Sequence, residues 1–410
     1  MSPHTRHDPA APTGAAATTL YAAIEVSGKS WVVGLKSPLG EKIGLHTLAA
    51  TDVAGLKGLL EQHCSRAEQS LGRGVEVRVC YEAGYEGFWL ARWLKREMGI
   101  ETVVLDPASL LVNRKAKQRQ TDRIDAKKMV RALLAYDRGD AAVLSRVRVP
   151  SVEEEDRKRL LRERQRLVRE RTALTNAIKG LLKLHGVFGL EPRAAGFDVA
   201  FAAVTTACGE PLPPRACQEI GRLAARLGLV MRQIEAVESE RDAAVHRAEA
   251  ERNAADRRTE ADAPHRMETA AGSRARADAS IAALTRLKGI GANDATLLMH
   301  EVFYRGFRNR RELAGWAGLA PTPWASGDGE RDQGIGRDGP AWIRAQLIQM
   351  AWRWVRYQPD SALSQWFQAR TASARGRIRR VMIVAVARKL LIALWRYADT
   401  GLVPTGARVA

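Results

Sequence analysis

The pattern of apolar residues changes near residue 150, and this change limits the fold more than any other feature. Before it, short apolar runs bounded by turn residues predict strands, and longer periodic runs predict helices between the later strands. The predicted strands are 20–26, 31–36, 41–47, 75–81 and 101–105, and the predicted helices lie near 52–65 and 86–98. A meander followed by alternating strands and helices is typical of a mixed α/β sheet domain, which we predict at 20–150 after a flexible tail at 1–19.

After residue 150 the pattern is helical. Residues 152–184 and about 214–255 are heavily charged, yet leucine and isoleucine recur in them at helical spacing. We interpret 151–279 as a coiled-coil arm with a linker. A mostly helical domain is predicted at 280–400, with a short tail at 401–410, and its Leu287–Gly291 segment (LKGIG) has the form of a helix-hairpin-helix turn. The predicted fold class is thus α/β plus α.

The charge balance predicts a polyanionic partner. The chain has a formal net charge of +19, of which +11 falls in 281–410, +6 in 1–150 and only +2 between them. Such a surplus most often indicates nucleic acid. No apolar run is long enough to span a membrane, and the scattered Cys64, Cys80, Cys208 and Cys217 argue against a disulfide scaffold or zinc ribbon. We therefore expect a protein of the reducing cytoplasm.

Acidic residues stand out in a basic setting. Residues 114–131 hold eight basic residues and two acids, Asp122 and Asp125, whose spacing places both carboxylates on one face near a helix N-terminus. Glu25 interrupts an apolar strand, and Glu82 follows another. Four such carboxylates would suit hard divalent cations, which prefer oxygen ligands. A simpler interpretation remains open, in which Asp122 and Asp125 only cap and solubilise a helix.

Three segments are candidates for contact with nucleic-acid phosphates, since arginine and lysine supply most such contacts. They are the basic stretch at 114–131, the LKGIG turn at 287–291 and the basic stretch at 370–380. The LKGIG turn also suits a plain connection between two helices, and the segment at 370–380 also suits a solvated helix start. The candidate residues are Arg114, Lys115, Lys117, Arg119, Arg123, Lys127, Lys128, Lys288, Arg375, Arg377, Arg379 and Arg380.

Several of these motifs are similar to those of one transposase family. AIEVS, YEAGYEG and TDRIDAKKMVR resemble the RuvC-like (RNase H-like) DEDD domain of the insertion-sequence one-ten and eleven-eleven transposases. These are related to pilin-gene invertases and include the bridge-RNA-guided recombinases. LKGIGANDATLLMHEV, FRNRRELAGWAGLAPTPWASG and GIGRDGPAWIRAQLIQMAW resemble the second domain of that family in order and spacing. The resemblance extends from residue 20 to about 400.

The resemblance implies a set of site residues. Glu25, Glu82, Asp122 and Asp125 would bind Mg²⁺ or Mn²⁺, and Ser326 would be the nucleophile. The first acid of the family is usually Asp, so Glu25 is a departure that keeps an oxygen ligand on a longer side chain. A serine hydroxyl needs activation, and no histidine lies near Ser326 in sequence, so the metal-binding carboxylates are the expected activators.

The leading hypothesis is therefore an enzyme, a DNA recombinase that mobilises its own insertion sequence. It would form a phosphoserine link to donor and target DNA, work as a dimer or tetramer paired through its arms, associate with the nucleoid, and use a noncoding guide RNA if the resemblance extends to the guided members. The nearest alternative is a site-specific DNA invertase. A RuvC-like junction-resolving nuclease would leave Ser326 with a structural role. A non-enzymatic nucleic-acid-binding scaffold would treat Glu25 as a sign of a decayed site.

Overall fold

The structure is a computed structural model that divides the chain into two compact units, Met1–Ser151 and Val152–Ala410. It describes residues 18–84, 87–107, 121–141, 143–259, 270–326, 329–336, 339–373 and 376–409. Most of the tail predicted at 1–19 lies outside these ranges, although the first strand already begins at Thr19.

A five-stranded mixed sheet forms the centre of the first unit. Its strands are β1 (Thr19–Val26), β2 (Ser30–Lys36), β3 (Ile43–Ala49), β4 (Glu76–Glu82) and β5 (Val103–Leu105). The spatial order is β3-β2-β1-β4-β5, with β1–β2 and β2–β3 antiparallel and β1–β4 and β4–β5 parallel. The predicted mixed sheet is confirmed, and it is consistent with an RNase H-like DEDD domain.

Helices cover both faces of this sheet. Because successive side chains of a strand point to opposite faces, β1 buries Leu20, Ala22 and Ile24 against helices α1 (Val53–Leu71) and α2 (Trp89–Met98). Tyr21 and Ala23 face the other way, into a core with helix α3 (Asp122–Asp137). The same alternation places Glu25 on the face that α3 covers.

Two contacts fix α3 against the sheet. At its far end, Asp137 accepts two hydrogen bonds from Arg78 of β4, at 3.1 and 2.9 Å. Nearer its start, a Cβ atom at Gly34 would lie only 3.2 Å from the carbonyl oxygen of Ala126. Glycine at this position therefore lets the first turns of α3 approach β2 closely.

The second unit is mostly helical. Its helices are α4 (Val152–Asp156), α5 (Lys158–Leu184), α6 (Phe197–Ala202), α7 (Pro214–Thr259), α8 (Ala270–Thr285), α9 (Ala292–Leu297), α10 (Arg310–Trp316), α11 (Ala341–Tyr357), α12 (Ala362–Thr371) and α13 (Arg377–Thr400). A π-helical turn, Leu298–Val302, and a 3-10 turn, Phe303–Arg305, follow α9. Strands β6 (Pro321–Ser326) and β7 (Gly329–Ile335) form an antiparallel hairpin.

Helices α5 and α7 pack side by side and run antiparallel, as two ion pairs show. Arg164 pairs with Glu238 at 2.5 Å, and Arg226 pairs with Glu170 at 2.9 Å. Their apolar side chains share one core, and the buried members are Leu174, Ile178, Leu182, Ile220, Leu227, Val230 and Ile234. The apolar faces of the two arm helices therefore meet each other within one chain, and the pairing of protomers through the arms stays a prediction.

The other helices of this unit enclose a core around Trp354 and Leu391. In the LKGIG turn, Leu287 and Ile290 are buried, and the Lys288 amide donates to the carbonyl oxygen of Arg408 at 3.2 Å. The Ile290 amide bonds back to Leu287 at 2.9 Å, so these two amides are occupied inside the protein. The predicted tail at 401–410 also packs here, because Arg408 N donates to Gln358 Oε1 at 2.7 Å.

The segment from Pro321 to Gly329 is where secondary structure differs from expectation. The sequence PTPWASGDG at 321–329 predicts a loop, and proline and glycine are poor strand formers. The structure forms the β6–β7 hairpin, in which the Pro321 to Pro323 stretch shifts the pairing register. A register shift of this kind is where a strand tolerates proline.

Candidate active site

The candidate carboxylates lie at one edge of the sheet. Strands β1, β4 and β5 are parallel, so their carboxyl ends reach the same edge. Glu25 is the penultimate residue of β1, Glu82 is the last residue of β4, and Asp106 follows β5 directly. Glu82 lies on the same face as Glu25, the face that α3 covers, because it is two residues after Cys80, which packs against α3.

The start of α3 supplies the other two carboxylates. Asp122 and Asp125 both lie in its first turn, where a negative charge is favoured by the helix dipole. The N-cap is Thr121, which uses its backbone carbonyl to accept from the amides of Ile124 and Asp125 and makes no side-chain cap bond. Asp125 Oδ1 accepts a hydrogen bond from Lys128 Nζ at 2.8 Å, in an exposed ion pair.

The four carboxylates share one electrostatic field. The pKa of Glu25 is raised from 4.5 to about 7, first by burial and then by the negative charges of Glu82, Asp125 and Asp122, in that order. Burial, followed by Asp125 and Asp106, raises the pKa of Glu82. Glu25 Oε2 is also buried and has no hydrogen-bond partner among the described residues. Among the described residues, the charges that shift the pKa of Glu25 are all negative, and a partly buried acid in such surroundings is costly.

The donor atoms of these residues are of the type that binds divalent cations. All their donors are carboxylate oxygens, the type preferred by Mg²⁺ and Mn²⁺, and one of them is buried with no hydrogen-bond partner in the part of the chain that the structure describes. Across the part of the chain that the structure describes, however, no three His, Cys, Asp or Glu side chains are close enough to hold an ion. The carboxylates face one another without forming a closed set of ligands.

Asp106 is a further acid beside the candidate site, and our sequence analysis gave it no role. Its negative charge acts on Glu82, and its amide donates to the carbonyl oxygen of Ser145 at 2.9 Å. The sequence contains a signal for it, because each of the strands predicted at 20–26, 75–81 and 101–105 ends at or beside an acid. Our prediction uses only the first two of these acids.

Ser326 belongs to the other unit, as the last residue of β6. Its backbone pairs with Gly329 across the end of the β6–β7 hairpin. The structure thus brings together Glu25, Glu82, Asp122 and Asp125 in one unit and places Ser326 at a hairpin end in the other.

The predicted phosphate-binding residues fall into three groups. Arg114, Lys115, Lys117, Arg119 and Arg375 lie outside the described residues. Arg123, Lys288, Arg377, Arg379 and Arg380 are exposed, and Arg379 lies over the rings of Phe367 and Trp352 at 5.7 and 5.9 Å. Lys127 is half-buried, and Lys128 is occupied by Asp125.

No helix among the described residues combines the length and apolar character needed to cross a membrane.

Comparison with known proteins finds transposases. Residues 23–186 match a family model described as a transposase, of the DEDD type named for IS110, and residues 281–366 match one described as "Transposase IS116/IS110/IS902 family". The chain is 42% identical over 393 residues to "Putative transposase y4rJ" of Sinorhizobium fredii (strain NBRC 101917 / NGR234), covering 95% of this chain and 94% of the relative. It is 29% identical over 253 residues to "Probable family 20 transposase" of Pseudomonas aeruginosa PAO1, covering 61% and 65%.

Proposed function

Because this chain belongs to the IS110 family of transposases, we propose that it is a DNA recombinase that moves an insertion sequence by cutting and rejoining strands. IS110 is the insertion sequence one-ten named above. The matched ranges contain both the carboxylates and Ser326, and the net charge of +19 suits a polyanionic substrate.

The carboxylates Glu25, Glu82, Asp122 and Asp125 are proposed to bind Mg²⁺ or Mn²⁺. The observation that carries this proposal is the Glu25 carboxyl, which is partly buried, has one oxygen with no hydrogen-bond partner among the described residues, and is subject to three negative charges. A bound ion would stabilise the negative charge that develops on a phosphate under attack. Asp106 would add negative charge beside Glu82 and strengthen the attraction for the cation.

Ser326 is proposed as the nucleophile. Its Oγ would attack the phosphorus of a backbone phosphate, forming a serine–phosphate ester as the bond from phosphorus to one deoxyribose oxygen breaks. The proton lost by the serine hydroxyl balances the proton gained by the departing sugar oxygen. A sugar hydroxyl of the second strand would then attack the ester, join the new DNA ends and return the proton to Ser326.

The proposed partners are donor and target DNA, a noncoding guide RNA, and further copies of the chain in a dimer or tetramer. Guidance by RNA rests on the family resemblance alone. The exposed Arg123, Arg377, Arg379 and Arg380 would contact phosphates. Work on chromosomal DNA would place the protein in the cytoplasm at the nucleoid.

The metal proposal can be tested without DNA. Free Mn²⁺ is measured by electron paramagnetic resonance while purified protein is added. We expect Asp125→Asn to weaken Mn²⁺ binding at least about tenfold, because a site's affinity follows its ligand charge. Glu41→Gln is the matched control, since Glu41 is a fully exposed acid on the same unit. Equal binding by both variants would refute the metal site.

Covalent trapping tests the serine. Labelled DNA is incubated with protein and Mg²⁺, denatured, and resolved on a gel that separates protein-linked DNA from free DNA. Wild-type protein should form the linked species, and Ser326→Ala should form none while binding DNA normally. Cut DNA without linked protein would favour the junction-resolving nuclease instead.

A further inference from the structure

We infer that Gly339 and Gly318, which form the base of the β6–β7 hairpin, are positioning residues for Ser326. This inference rests on the proposed role of Ser326 as nucleophile. Neither glycine lies in the hairpin itself, so their effect would be transmitted through the direction in which the hairpin projects.

The position of Ser326 depends on how the base of the hairpin is anchored. A two-stranded hairpin is marginally stable by itself, so its orientation depends on where its strands are anchored. Ser326 ends a six-residue strand, which places it about 17 Å from Pro321 at ~3.4 Å per residue. A rotation of about 10° at the base would therefore move the serine by about 3 Å, well beyond the ~0.5 Å tolerance of a reactive group.

At the base, Gly339 allows an exceptionally close backbone contact. A Cβ atom on Gly339 would overlap the carbonyl oxygen of Trp316 and would lie 2.7 Å from the amide nitrogen of Gly318. These atoms belong to backbone, which cannot rotate away as a flexible side chain can. The chain leaving β7 thus passes directly against the chain that leads into β6.

Gly318 provides the second constraint. Its φ of +64° is left-handed, and a Cβ there would overlap the Arg344 guanidinium and lie 3.0 Å from the carbonyl oxygen of Gly336. The Gly336 amide donates to the carbonyl oxygen of Ala320 at 2.9 Å, and Thr322 Oγ1 donates to that of Gly334 at 3.1 Å. These hydrogen bonds join the start of β6 to the end of β7 beside the two glycines.

The base is in turn fixed to the core of the unit. Trp316, whose carbonyl meets Gly339, packs on Phe307 with ring centroids 5.6 Å apart, and Arg305 lies over its ring at 4.4 Å. Leu319 is buried, and its amide donates to the carbonyl oxygen of Ala314 in α10 at 2.9 Å. The direction of the hairpin is thereby set by a packed helix.

The experiment compares Gly339→Ala and Gly318→Ala with Gly315→Ala in the full-length protein. Gly315 is the matched control, because it is exposed on α10 and nothing lies within 4 Å of a Cβ placed there. Hydrogen exchange of residues 319–336, DNA affinity, and the rate of covalent DNA linkage are measured for each. We expect exchange in the hairpin to rise and the linkage rate to fall at least tenfold for Gly339→Ala, with DNA affinity within threefold of wild type.

Gly318→Ala should give a smaller change in the same direction, because the Arg344 side chain can move aside. If Gly339→Ala does not fold, the Gly318→Ala variant tests the inference. Unchanged exchange in the folded variants, or faster exchange with an unchanged linkage rate, would overturn the inference. If Ser326→Ala still forms linked DNA, the proposed nucleophile is wrong, whereas the exchange data would still report on the hairpin base.

Discussion

Two glutamates, the half-buried Glu25 in the first unit and the buried Glu301 in the second, have neighbours of opposite charge. Glu301 lies in the π-helical turn with its side chain 4% exposed, and it accepts from Arg162 Nε at 2.6 Å and Nη2 at 3.1 Å. Lys158 is also near, with its Nζ 3.4 Å from the centre of the Tyr304 ring. Burial lowers the pKa of Lys158 to about 8, and Glu301 opposes that shift. Among the described residues, the charges that act on Glu25 are those of other carboxylates.

The difference separates a structural acid from a site acid. The fold itself supplies the positive charges around Glu301, so that acid needs nothing from solution. The edge of the sheet brings acids together, and among the described residues the charges that act on Glu25 are all negative, so this acid is stable only if a cation binds or a proton is taken up. The sign of the neighbouring charges distinguishes the two residues.

Substitution of the two glutamates should differ most in its effect on activity. Glu25→Gln removes a proposed metal ligand, and we expect the rate of covalent DNA linkage to fall about 10³-fold. Glu301→Gln, measured below its unfolding temperature, should lose less than about tenfold, because its charge is used within the fold. Single-turnover linkage rates give the comparison. Similar losses for both variants would remove the distinction.

Stability should respond in the opposite sense. Glu301→Gln leaves Arg162 and Lys158 without their acid, and we expect the free energy of unfolding to fall by about 2–3 kcal/mol, less than for a fully buried pair because Arg162 is half-exposed. Urea denaturation measures the loss. Glu170→Gln is the control, since it removes an exposed pair with Arg226 and should cost less than about 1 kcal/mol.

Glu25→Gln should stabilise the protein when divalent ions are absent. The pKa of Glu25 is about 7 in the folded chain and 4.5 ordinarily, so its penalty is absent below pH 4.5, grows between 4.5 and 7, and is complete above 7. At pH 8 we expect a gain of about 1–2 kcal/mol, after allowance for solvent screening. Denaturation at pH 8 and pH 4 in EDTA tests this. A gain that is equal at both pH values would contradict the charge argument.

The smallest effect should come from Lys128, whose ion pair with Asp125 is exposed. Lys128→Met should change the free energy of unfolding by less than about 0.5 kcal/mol, because solvent screens such pairs. A larger loss would mean that the sheet edge already carries a structural counter-ion, and would weaken its contrast with Glu301.

Much of this could be predicted from the sequence. Strand alternation and the helix signals gave the mixed sheet and most helices, and the isolated acids in apolar or basic settings identified Glu25, Glu82, Asp122 and Asp125. Such signals are local, so a short window of sequence contains them. The roles proposed for those residues and for Ser326 stay predictions.

What could not be predicted depends on distant partners. Glu301 and Arg162 are 139 residues apart, and no local pattern indicates that they meet. The β6–β7 hairpin forms in a segment whose prolines and glycines disfavour strands, because its base is held by residues on both sides of it. The location of Asp106 near Glu82 could not be predicted without knowing that β5 lies beside β4.

The antiparallel pairing of α5 and α7 restricts how the chain can change in length. Buried residues of α7 at 220, 227, 230 and 234 follow steps of three, four and seven, and they share a core with the buried residues of α5. Loss of one residue from either helix would turn everything beyond it by about 100° and move apolar side chains into water. Loss of seven residues from one helix would be tolerated only with a matching loss from the other. Relatives that differ in the length of this arm should therefore carry paired insertions or deletions in its two helices.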